Sequence, residues 1–125
     1  MQVARLCHDE VVRLNADSLE AIYEEIGQDR GEVAISRAME DLAALLVEAE
    51  AAWATGESAI LRRHVAEVAG IAKRIGMPGL ARVALDVDRI CACPDDAALA
   101  AVVARMGRLG ERSLIAVWDV QDAMI

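Results

Sequence analysis

Apolar residues recur at three- and four-residue steps over most of the chain, and glycine and proline divide that pattern into about five helical segments. Asn15-Ala16-Asp17-Ser18 offers side-chain oxygens that cap a helix start, and Gly27 can end that helix after Ile26 in a left-handed conformation. From about Glu32, the residues Val33, Met39, Leu42, Leu45, Leu46, Ala49 and Trp53 form one stripe, with Arg37, Glu40, Asp41 and Glu48 largely off it. Thr55-Gly56 closes this long second helix. A third is predicted from about Glu57 to Ile75, stopped by Gly76, with Leu61, Val65, Val68, Ala72 and Ile75 facing the core. Pro78 suits the first turn of a fourth, which turns Leu80, Val83, Ala84, Val87 and Ile90 inward. Pro94 repeats the device, and Asp95 and Asp96 set negative charge at the positive end of a last helix dipole. That helix carries Leu99, Val102, Val103, Met106, Leu109, Leu114 and Val117 on its apolar side. Short connections between long helices make sequence neighbours antiparallel. The expected fold is therefore all-α, an antiparallel up-and-down four-helix bundle with a short extra N-terminal helix at one end. Residues 15–125 make up the domain; residues 1–14 are read as a partly ordered extension from which Val11, Val12 and Leu14 can dock.

Composition narrows the function classes. A chain of 125 residues holds one core, and 13 basic against 21 acidic residues leave a net charge of -8. That sign disfavours nucleic acid, whose binders neutralise phosphate. No charge-free run approaches the ~20 residues of a membrane span, and the N-terminus lacks an apolar leader core, so no membrane association and a cytoplasmic location are expected. The chain has no Phe; Trp53 and Trp118 are expected to fill the core or one end of the bundle, although an exposed Trp118 would suit a homodimer contact in place of a monomer. Cys91-Ala92-Cys93 lacks the two-residue spacer of zinc and redox motifs, Cys7 stands alone, and the two histidines are far apart, so no metal is expected. Gly76-Met77-Pro78-Gly79 is too short for a phosphate-binding loop, and no cofactor is expected either. The acidic pairs Glu24/Glu25 and Asp86/Asp88 point to different sides of their helices, which rules out acid/base dyads.

From Asp17 to Ile90 the ungapped order of segments resembles the histidine phosphotransfer (HPt) domain, a helical bundle that relays phosphoryl groups between receiver domains in two-component signalling. Leu19-Glu-Ala-Ile-Tyr-Glu-Glu-Ile-Gly27 resembles that family's opening helix, and Met39-Glu-Asp-Leu-Ala-Ala-Leu-Leu through Trp53-Ala-Thr-Gly56 its long second helix and turn. Arg62-Arg63-His64-Val65-Ala66-Glu67-Val68-Ala69-Gly70, followed by Ile75-Gly76, falls on its diagnostic stretch of His, aliphatic, Lys-Gly and aliphatic-Gly. The resemblance implies that Ala66 occupies the phosphoacceptor position and Ala69 that of the motif's Lys. A methyl group has no lone pair to attack phosphorus, so the scaffold is kept and the nucleophile is missing.

His64 lies two residues away, about 160° around the helix axis, where it borders the predicted core stripe. Arg62, Arg63, Ala66, Gly70, Lys73 and Arg74 gather on the other side of the wheel, a basic surround for a small centre. A receiver's acidic pocket would be drawn to that face, with Arg62, Arg63, Ala66, Glu67, Ala69, Gly70, Lys73 and Arg74 as partner-binding residues and Asp86 and Asp88 at its flank. The expected function is thus a non-enzymatic, non-phosphorylatable HPt-like protein that docks on a response-regulator receiver domain or a hybrid histidine kinase and modulates phosphoryl transfer. Two alternatives stand beside it: an active relay with His64 as phosphoacceptor, and a helical dimer or ligand-binding bundle unrelated to signalling.

Overall fold

The computed structural model describes residues 12–124, which form five helices and no strand: α1 (Ala16–Ile26), α2 (Gln28–Ala54), α3 (Ser58–Arg74), α4 (Pro78–Cys91) and α5 (Asp96–Met124). The helix boundaries follow local chemistry. Asn15 Oδ1 accepts the Asp17 N–H at 3.1 Å and caps α1. Gly27, at φ +89°, donates its N–H to the Tyr23 carbonyl and turns the chain straight into α2. The second helix therefore begins at Gln28 and not near Glu32, with Asp29 in its first turn and the Gln28 side chain donating to Glu32 at 3.0 Å. Pro78 occupies the first turn of α4, whereas Pro94 does not repeat that role: Asp95 Oδ1 accepts the Ala98 N–H at 2.9 Å and caps α5, which leaves Pro94 ahead of the helix.

The interface between α3 and α4 is the most extensive; α2 packs on α3, α4 on α5, and α5 returns to α2, while α1 lies on α2. All five residues of the predicted α3 stripe are buried, together with Leu80, Val83, Ala84 and Val87 of α4 and Val103, Met106, Leu109 and Val117 of α5. Leu99, Val102 and Leu114 are partly buried against this core, and Ile90 at the end of α4 is half-buried. Val12 and Leu14 pack on the core; residues 1–11 of the predicted extension, with Cys7, His8 and Val11, lie outside the described residues. Asn15 donates its N–H to the Gly76 carbonyl at 2.8 Å, and the Asn15 backbone crosses Gly76 (φ +79°) where a Cβ would collide with it. Glycine at 76 thus serves both the turn and the close crossing.

Two predicted core positions are corrected. On α2 the buried phase is Gly31, Ile35, Leu42, Leu45, Ala49 and Ala52, whereas Val33 is 54% exposed. Ile35 and Val33 are two residues apart, about 160° around the axis, so only one of them can face inward. Trp118 is 64% exposed beside fully buried Val117, and so fills neither the core nor a bundle end. No described helix is long and apolar enough to cross a membrane.

Candidate docking face on α3

Because Leu61, Val65, Val68, Ala72 and Ile75 all point inward, α3 must turn its remaining positions outward. Arg62, Arg63, Ala66, Glu67, Gly70, Lys73 and Arg74 are all exposed and form one strip along the helix. Its centre is smooth: Ala66 contributes a methyl group, and a Cβ placed on Gly70 would meet nothing within 4 Å. Four cations surround that centre, against the single carboxylate of Glu67 within the strip.

Neighbouring helices adjust this charge. Arg62 Nε donates to Asp88 Oδ1 of α4 at 2.9 Å, and that hydrogen bond, then the carboxylate's charge, pushes the guanidinium pKa up. Asp86 turns away to Arg89 at 2.7 Å. Of the expected pair, only Asp88 therefore borders the strip. Arg63, Lys73 and Arg74 form no ion pair among the described residues. Four positive charges less Glu67 and Asp88 leave a net +2 on a chain of -8.

His64 does not join the strip. Its side chain is 19% exposed, with Nε2 3.7 Å from Glu48 Oε2 of α2 and Nδ1 buried without a hydrogen-bond partner among the described residues. Ala69, predicted to be exposed, is buried at 9% accessibility. It stands two turns beyond Arg62 on the side of α3 that faces α4, and the close α3–α4 packing covers it. The residues that the sequence groups on the face thus stay together in space, with Ala69 removed from their edge.

At the C-terminal end of the strip, Arg74 and Ile75 border a groove of about 670 Å³ shared with Ile22 and Glu25 of α1 and Arg37 and Asp41 of α2. Nothing in the helical periodicity marks this groove, since three helices contribute to it. The strip presents guanidinium, ammonium, methyl, glycine and carboxylate groups, with no imidazole, thiol or hydroxyl. Such a surface suits the recognition of an acidic partner. Cys91 is half-buried, burial pushes its thiol pKa up, and Cys93 is exposed; among the described residues neither is in a disulfide. Among the described residues no group of three His, Cys, Asp or Glu side chains could hold a metal ion. Comparison of the chain with protein-family models, curated proteins and solved structures finds no match.

Proposed function

We propose that this chain is an HPt-like signalling protein without a phosphoacceptor, one that docks through α3 on a receiver domain or a hybrid histidine kinase and modulates phosphoryl flow by occupancy. The reading rests on the sequence resemblance from Asp17 to Ile90. The observation that carries it furthest is the net-positive strip around exposed Ala66 and Gly70 on an acidic protein. The closed ring of contacts among α2, α3, α4 and α5 supports the bundle architecture of the same reading. A receiver's cluster of carboxylates would be attracted to Arg63, Lys73 and Arg74, and the small centre would let its backbone come close. At Ala66 the docked aspartyl phosphate would find no lone pair, so the phosphoryl group would stay on the receiver while the site remained blocked.

A relay through His64 is less compatible with the ring's surroundings. Nδ1 is buried, and a phosphoryl group on Nε2 would stand beside the Glu48 carboxylate, anion against anion.

Titration calorimetry of the full chain against purified receiver domains tests docking, with Arg63→Glu/Lys73→Glu/Arg74→Glu expected to weaken binding at least about tenfold. Incubation with an active hybrid kinase and labelled ATP tests the missing nucleophile. Wild type should take up no label and Ala66→His should become labelled. Acid-labile label on wild type that disappears in His64→Ala would refute the proposal, as would failure to bind any receiver or kinase.

A further inference from the structure

We propose that the N-terminal half of α2 and the C-terminal half of α5 together form a two-fold interface with a second copy of this chain. This inference does not depend on the function proposed for α3. The two segments lie side by side and run antiparallel: Leu46 of α2 would touch a Cβ on Gly110 of α5, and towards the start of α2, Ser36 and Glu32 share a crease with Trp118, Gln121 and Asp122.

Beside that crease the protein exposes its largest apolar side chain. Trp118 is 64% and Ile115 55% accessible, on the same side of α5, and Val33 of α2 is exposed as well. An exposed Trp with Ile one helical turn away on the same face of α5 makes the aromatic anchor typical of contact centres, and Val33 offers an apolar position on α2.

Charge complementarity names the occupant. Along α5 the exposed series Glu111, Ile115, Trp118, Asp122 advances by four, three and four residues, so apolar side chains are flanked by carboxylates on one face. Along α2 the series Arg30, Val33, Arg37 advances by three and four, with an apolar centre between cations. None of Arg30, Arg37, Glu111 and Asp122 is in an ion pair among the described residues. Since the two strips are antiparallel neighbours, a two-fold rotation lays the basic strip of each copy on the acidic strip of the other, and both halves of the interface form at once. A shallow hollow of about 350 Å³ bounded by Asp29, Arg30, Val33, Ala34 and Arg37 receives the partner's indole; its two cations outnumber the single Asp29 carboxylate, and a guanidinium can stack on the ring. A chain of net charge -8 otherwise repels its own copy, so this local match is what a homodimer requires.

Sedimentation velocity of the full chain from about 1 μM to about 1 mM reads the association directly. We expect a concentration-dependent rise from the 13.4 kDa monomer to twice that mass, and about 30-fold weaker dimerisation for Trp118→Ala. The decisive arm uses two charge variants: Arg30→Glu/Arg37→Glu makes both strips acidic, and Glu111→Lys/Asp122→Lys makes both basic. Each alone should remain monomeric, and an equimolar mixture should pair, because every contact in the mixed dimer is again of opposite sign. All the substituted side chains are exposed, and circular dichroism confirms that the variants fold. A monomer up to about 1 mM, a dimer indifferent to Trp118→Ala, or folded charge variants that fail to pair when mixed would each overturn the proposal.

Discussion

Gly70→Ala should make the protein more stable and a weaker binder. Gly70 lies inside α3, outside the positive-φ glycines, and a Cβ there meets nothing within 4 Å. Alanine then brings its helix propensity and a smaller unfolded-state entropy without strain, an expected gain of about 0.5–1 kcal/mol. For a domain of this size, that raises Tm by about 2–4 °C. Gly107→Ala is the matched control, since that position is also exposed, helical and open, but lies on α5. Both variants should melt higher by circular dichroism. Only Gly70→Ala should lose affinity for a receiver domain in titration calorimetry, by about tenfold, because its methyl group intrudes where a partner backbone approaches most closely. A lower Tm would refute the open helical environment of Gly70. Equal affinities for the two variants would refute the close-approach argument while leaving the stability argument intact.

Three further outcomes are expected. Ala69→Lys should lose about 2 kcal/mol in a denaturant titration, because an ammonium would replace a methyl group under α4, whereas Ala66→Lys on the open strip should change stability by less than about 0.5 kcal/mol. Ile35→Ala should lose about 2–5 kcal/mol and Val33→Ala about 0.5 kcal/mol or less; a comparable loss at both positions would contradict the phase of α2. Alkylation of Cys91, followed by peptide mass mapping against pH, should reach its midpoint above the ordinary thiol range because burial disfavours the thiolate; Arg62→Ala should move it higher still by removing a nearby cation.

Much of the helical layout was legible because its signals are local. Asn15, Gly27, Thr55-Gly56, Gly76, Pro78 and Asp95 mark the ends of helices through hydrogen bonds or backbone angles confined to a few residues. The α3 stripe was legible for a related reason: five large or small apolar residues at helical spacing leave a single way to face a core. Once that stripe is turned inward, Arg62, Arg63, Ala66, Gly70, Lys73 and Arg74 have to share the outer side, so the composition of that exposed strip follows from the sequence.

What depended on a second helix could not be read this way. Val33 and Ile35 are equally apolar, and the choice between them was made by the neighbours of α2. Ala69 became buried because α4 lies over that edge of α3, Arg62 acquired its counter-ion from Asp88 of α4, and the groove beside Arg74 exists only where α1, α2 and α3 meet. The sequence by itself determined where helices start and stop and which side of α3 is basic, since periodicity and capping act within a few residues of the chain. Tertiary structure alone decided which small or apolar residues are covered, which charges are paired and where Trp118 stands, because coverage and pairing belong to surfaces that residues distant in sequence build together.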